Sequence, residues 1–128
     1  MPWTVYTDEE LWQANVKLAK FRKWADKNPA ILRHMWRTTN TYAQTGKHTS
    51  AKRLFESARY DDGLRIVDVD SDIKLSNDYS ALVARILVRS VPGAKSVFKL
   101  KRSVFDLLDD DQFPRFDSRG SLVWGDAA

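Results

Sequence analysis

Stop signals for helices divide the first sixty residues into three segments, and each segment repeats its apolar residues at helical spacing. Thr7-Asp8-Glu9-Glu10 fits a capping box that opens the first helix. Asn28-Pro29 ends that helix and opens the second, because Asn suits the N-cap and Pro the first helical position. Gly46 closes the second helix. A third helix is predicted after Ser50, with an apolar face made of Ala51, Leu54, Phe55 and Ala58.

The period of the apolar residues then changes. Residues 64–69 alternate and are rich in β-branched side chains, which predicts a strand. A turn at 70–72 and a short second strand at 73–75 complete a predicted β-hairpin. Asn77 is the predicted cap of a fourth helix, which is apolar on most sides apart from Arg85 and Arg89. Pro92-Gly93 ends this helix.

The C-terminal part of the chain has a weaker pattern. Residues 94–108 fit a helix or a strand, and we favour a short helical turn followed by a strand. From Asp106 onwards the chain is acidic and without a period, so that it is either disordered or draped over the body. We therefore predict a mostly helical α+β fold, with a winged-helix-like domain at 1–105 and an irregular acidic tail at 106–128.

Charge is distributed unevenly along the chain. Residues 1–60 carry 11 Lys/Arg against 5 Asp/Glu, and residues 106–128 carry 2 against 6, within a net charge of +4. A basic body favours an anionic partner such as nucleic acid, anionic lipid or an acidic protein. The alternative is a solvated basic surface that binds nothing.

The residue types also exclude several functions. The absence of cysteine excludes disulfides, thiolate metal sites and cysteine nucleophiles, and it fits a reducing compartment. The N-terminus does not have the pattern of a signal peptide, and the apolar stretch at 81–91 is too short and too charged to span a bilayer. We expect a cytoplasmic protein without a membrane partner.

Candidate chemistry is sparse. Asp68, Asp70 and Asp72 resemble the start of a calcium loop, but Ile73 and Tyr79 stand where that loop needs Gly and Glu. The two histidines, His34 and His48, belong to no hydrolase or nuclease motif, and no glycine-rich phosphate loop is present. We therefore expect no catalytic residues, no metal and no cofactor, and a protein that is not an enzyme.

Three helices followed by a hairpin are compatible with a winged helix that binds DNA. The short turn between helices 2 and 3 suits a helix-turn-helix, in which helix 3 would lie against the DNA. Lysine serves phosphates, whereas Arg and Ser can also contact base edges. The predicted DNA-binding residues are Lys47, His48, Ser50, Lys52, Arg53 and Ser57, with Arg65 and Lys74 on the hairpin.

Protein binding is the alternative function. Five tryptophans occur in 128 residues, and they are either packing groups or a hot spot for a partner protein. A small protein of this kind would inhibit or adapt a host protein through an aromatic and basic surface. The acidic tail is then a solubilising segment or a competitor for the anionic ligand.

Several local patterns between residues 21 and 102 resemble a group of small uncharacterised proteins encoded by phages, prophages and bacteria. The patterns are Asn28-Pro29, Leu54-Phe55-Glu56 with Arg59-Tyr60, Lys74-Leu75-Ser76-Asn77-Asp78-Tyr79, Ala84-Arg85, and Pro92 ahead of Val97-Phe98. The resemblance implies a phage or mobile-element context, in which DNA-binding regulators and inhibitors of host proteins are both common. It assigns no functional residue.

Overall fold

Four α-helices form most of the fold in the computed structural model, which describes residues 7–60 and 79–125 and, for residues 59 and 60, the backbone alone. They are α1 (Asp8–Lys27), α2 (Pro29–Thr45), α3 (Ala51–Tyr60) and α4 (Ser80–Ser90). Three short 3-10 turns follow at Ala94–Ser96, Val104–Leu107 and Asp110–Gln112. Two short antiparallel strands, β1 (Arg115–Phe116) and β2 (Leu122–Val123), end the described chain.

The predicted boundaries of α1 and α2 are confirmed, whereas the cap predicted at Asn77 lies outside the described residues. The Thr7 hydroxyl accepts from the Glu10 amide and the Glu10 carboxylate accepts from the Thr7 amide, so the capping box is present. Gly46 closes α2 in the left-handed conformation, at φ +72°. Asn28 is the residue between α1 and α2, as predicted, but its side chain makes no N-cap bond to α2 and donates backwards from Nδ2 to the Trp24 carbonyl at 2.8 Å.

Helices α3 and α4 pack side by side over a continuous apolar core. The predicted apolar face of α3 is buried, with Leu54 and Phe55 exposed by 2% and 4%. In α4, Leu82, Ile86 and Leu87 are fully buried, which confirms the predicted central helix. Because α3 also contacts α2, the core holds its buried face and leaves its other face to solvent.

The prediction of an irregular acidic tail is wrong for the described part of the C-terminal segment. Residues 115–123 form an antiparallel hairpin in which Phe116 pairs with Leu122. Phe105, Leu108, Phe113 and Phe116 are all buried in the same core as the helices. Burial of these apolar side chains therefore fixes the segment on the helices. Of the two predicted alternatives, disorder or a tail draped over the body, the structure shows the second for residues 106–125.

Residues 94–108 contain the predicted helical turn, but the strand is reduced to a single parallel bridge between Phe98 and Thr49. The hairpin predicted at 64–75, and with it Arg65 and Lys74, lies outside the described residues. No helix in the described ranges has both the length and the apolar character needed to cross a membrane.

Gly120 allows the C-terminal hairpin to lie directly on α2. Its φ is +79°, and a Cβ placed there would come within 2.5 Å of Trp36 Cε3 and 3.1 Å of Arg33 Cγ. Gly46 has a similar φ of +72°, but a Cβ there would meet nothing within 4 Å. A substitution at Gly46 therefore introduces backbone strain alone, whereas a substitution at Gly120 adds a steric clash to the same strain.

We predict that Gly46→Ala lowers the free energy of unfolding by about 1–2 kcal/mol, the strain of a left-handed residue. Gly120→Ala should lose about 1–3 kcal/mol more, because the methyl group must displace the Trp36 ring. Urea unfolding of both variants measures the difference. Equal losses would show that the hairpin does not press on α2.

Candidate nucleic-acid interface

The start of α3 presents two free cations. The Ser50 hydroxyl accepts from the Arg53 amide at 3.2 Å, so Ser50 caps the helix as its residue type predicts. Lys52 and Arg53 follow on the exposed side, opposite the buried residues of α3. Among the described residues, neither has an ion pair, and the ordinary Lys52–Glu56 pair of a solvated helix is not formed.

The turn between α2 and α3 adds Lys47 and His48. The Lys47 amide donates to the Tyr42 carbonyl at 3.1 Å, and its ammonium lies 5.7 Å from the centroid of the Tyr42 ring. His48 Nδ1 donates to the Ser96 carbonyl at 2.7 Å, so that the exposed ring is oriented by its own hydrogen bond. Both side chains are exposed and stand beside the first turn of α3.

A second chain segment joins this surface from a distant part of the sequence. The Thr49 amide donates to the Val97 carbonyl at 3.0 Å, and Thr49 bridges to Phe98 in parallel fashion. The residues directly after Phe98 are Lys99, Leu100, Lys101 and Arg102, which we call the basic segment. The pairing therefore brings the basic segment alongside the start of α3.

A groove of about 510 Å³ runs between the basic segment and α3. Its walls carry Lys52 from α3 and three cations of the basic segment, and its floor is made of Ala81, Ala84 and Arg85 of α4. No acidic side chain is among the described residues that line it. We call this cleft the basic groove; its positive walls attract anions, and field lines focus in a concave surface.

Arg85 holds the basic segment from below. Its side chain is only 4% exposed, and its Nη2 donates to the Lys101 carbonyl at 2.6 Å. Its Nε donates to Asp106 Oδ1 at 2.7 Å, and Nη1 donates to the Ala81 carbonyl at 2.9 Å. Arg85 and Arg89, the two polar exceptions of the predicted helix, therefore differ. Arg85 is buried in a charge-assisted network, whereas Arg89 is partly exposed.

The acidic tail neutralises α4 rather than α3. Asp110 accepts from Arg89 Nε at 2.6 Å and from Arg115 Nη2 at 3.1 Å. The hydrogen bond from Arg89 is the main reason why the pKa of Asp110 lies below its ordinary value. These carboxylates are thus bound by arginines outside the turn at 46–50, and they leave Lys52 and Arg53 unpaired among the described residues.

The sequence predicted part of this surface. Lys47, His48, Ser50, Lys52 and Arg53 lie together and are exposed, whereas Ser57 is half-buried one turn further along α3. The prediction missed Lys99, Lys101 and Arg102. Their signal was the dense basic run itself, but nothing local in the sequence pairs it with α3.

Comparison with protein-family models, with curated proteins and with solved structures finds no match for this chain. The geometry alone therefore has to carry a functional interpretation. In the described ranges, no group of three His, Asp or Glu side chains converges on a metal position. The D-x-D-x-D pattern at 68–72 lies outside the described residues.

The Arg85–Asp106 pair should make the protein sensitive to acid. Burial raises the pKa of the Asp106 carboxyl, but the hydrogen bonds from Arg85 and the Ser103 amide, together with the charges of Arg85 and Arg89, lower the pKa below its ordinary value. Because the pKa of Asp106 is lower in the folded state, its carboxylate stabilises the fold at pH values above the pKa of an unfolded Asp, ~3.9. This contribution is lost as the pH falls through the pKa of the folded state.

We therefore expect the stability advantage of the wild type over Asp106→Asn to be complete at neutral pH and to shrink below about pH 4. Urea unfolding at several pH values measures this difference. The control is Asp111→Asn, since Asp111 is exposed and has no hydrogen bond in the described chain. An advantage that grows as the pH falls would contradict the ion pair.

Proposed function

We propose that this protein binds DNA without catalysis, mainly through phosphate contacts made by the start of α3 and the basic groove. The supporting observation is the convergence of two distant basic stretches, residues 47–53 and 99–102, on one exposed surface. Random scatter of cations over a basic protein would not concentrate them beside a single helix start.

The chemistry of the surface suits a phosphate backbone. Lysines give mobile point charges, Arg53 can fork onto phosphate oxygens or onto guanine, and Ser50 keeps a hydroxyl proton to donate. The positive end of the α3 dipole adds to the same field. Such contacts are largely independent of base sequence, so we expect strong dependence on salt and modest selectivity.

The finer proposal is a winged-helix arrangement. In it α2, the turn at 46–50 and α3 are the helix-turn-helix, and α3 lies against the major groove of the duplex. Supporting features are the short turn, the exposed polar face of α3 and its buried apolar face. The wing, predicted at 64–75 with Arg65 and Lys74, stays a prediction, as does the phage context.

The test is a fluorescence anisotropy titration of a labelled DNA duplex at several salt concentrations. The double variant Lys52→Ala with Arg53→Ala should bind roughly tenfold more weakly at low salt, because two phosphate contacts are lost. The slope of log K against log salt should become shallower by about 1.8, or 0.9 for each contact.

The matched control removes the same charge from another face. Lys20 and Lys23 are exposed on α1 and do not line the basic groove. Lys20→Ala with Lys23→Ala should therefore retain most of the affinity and the slope. Equal losses of affinity in the two double variants would show that binding depends on net charge and not on the basic groove. Absence of binding by the wild type at low salt would refute the proposal.

A protein partner is the second candidate, and the exposure of two large apolar residues on α1 favours it. Trp12 is 64% exposed and its neighbour Leu11 is 41% exposed, although Leu11 lies at helical spacing from the buried Ala14 and Leu18. Exposed Trp is enriched at binding hot spots. This candidate is a small interaction module that inhibits or adapts a host protein.

The two candidates respond to different variants. If the protein binds a host protein, the immobilised wild type should retain that protein in equimolar amount. Trp12→Ala should lose it, whereas the Lys52 and Arg53 variants should retain it. Retention of that protein by Trp12→Ala at the wild-type level would remove the support that Trp12 gives.

A further inference from the structure

Asp106 lies in the acidic tail, but its contacts connect it to the basic groove. Its Oδ1 accepts from Arg85 Nε at 2.7 Å, and its Oδ2 accepts from the Ser103 amide at 3.0 Å. Arg85 in turn donates from Nη2 to the Lys101 carbonyl at 2.6 Å. One carboxylate and one guanidinium therefore close a ring of hydrogen bonds around residues 101–106.

This ring is one fixed point of the basic segment, and the bridge between Phe98 and Thr49 is another. Lys99, Leu100, Lys101 and Arg102 belong to no helix or strand, so no backbone ladder holds them. Leu100 is 43% exposed and gives little apolar anchoring. Among the described residues, it is Arg85 that donates to the Lys101 carbonyl, and the position of Arg85 depends on the carboxylate that binds its Nε.

We propose that Asp106 is a positioning residue of the basic groove: through Arg85 it fixes the backbone at Lys101, so that the cations of the basic segment face the same groove as Lys52. This inference rests on the proposed DNA binding. It assigns a nucleic-acid-binding role to an acidic residue that would not itself touch the ligand.

The sign of the effect separates positioning from simple electrostatics. Removing a negative charge near a DNA-binding surface ordinarily strengthens binding, because the repulsion of phosphate falls. Removing the carboxylate of Asp106 should instead weaken binding. A buried guanidinium without its partner must rearrange towards water, and it then releases the Lys101 carbonyl.

The closing experiment compares Asp106→Asn with Asp111→Asn in the full chain, by titration of the same labelled duplex. The two substitutions change the net charge equally and lie in the same segment. Asp111→Asn should bind as the wild type does or slightly more tightly. Asp106→Asn should bind roughly three- to tenfold more weakly, with a salt slope shallower by about 1.8, as two phosphate contacts are lost.

A second readout does not depend on DNA. In the free wild-type protein, ¹⁵N relaxation should give order parameters near 0.85 for residues 99–102, as in a helix, and below about 0.6 in Asp106→Asn. Asp106→Glu keeps a carboxylate within reach of Arg85 and should restore both affinity and order. The wild-type measurement remains decisive even where the Asn variant fails to fold.

The outcomes are distinguishable. Asp106→Asn binding as tightly as Asp111→Asn, or order parameters below about 0.6 for residues 99–102 in the wild type, would overturn the positioning role. Absence of DNA binding by the wild type would instead refute the proposed function, and the relaxation data would still show whether Asp106 fixes the segment.

Discussion

The buried guanidinium of Arg85 joins three parts of the chain that are distant in sequence. It lies in α4, the most apolar helix, and its side chain is 4% exposed. A charge removed from water in this way is tolerated only when its donors are matched by acceptors. Asp106 and the carbonyls of Lys101 and Ala81 supply them, and so α4, the basic segment and the C-terminal segment are joined at one point.

That network also explains how a basic surface and an acidic tail coexist in a small protein. The tail places Asp106 and Asp110 against the arginines of α4, and apolar side chains such as Phe113 anchor it in the core. The lysines and arginines at the start of α3 receive no carboxylate among the described residues. Charge is thus segregated by side-chain packing, and the net charge of +4 understates the field at the groove.

The local features of the fold could be predicted because neighbouring residues decide them. The Thr7–Glu10 box, the closure at Gly46 and the apolar face of α3 each follow from backbone capping or from helical period. The C-terminal hairpin could not be predicted in this way. Its strands have two residues each, too few for an alternating pattern. Gly120 is needed both for its left-handed φ and for the approach to Trp36, and the second need is not visible in the neighbouring residues.

Local patterns were enough to predict the four helices, the ends of α1 and α2 and the exposure of Lys52 and Arg53, since period and caps act over a few residues. The position of the basic segment beside α3 and the burial of Arg85 follow from long-range contacts. Thr49 pairs with Val97 and Phe98, and further bonds join His48 to Ser96 and Arg85 to Asp106, 48 and 21 residues apart. Contacts over such separations depend on the packing of the whole core, which no local pattern of residues records.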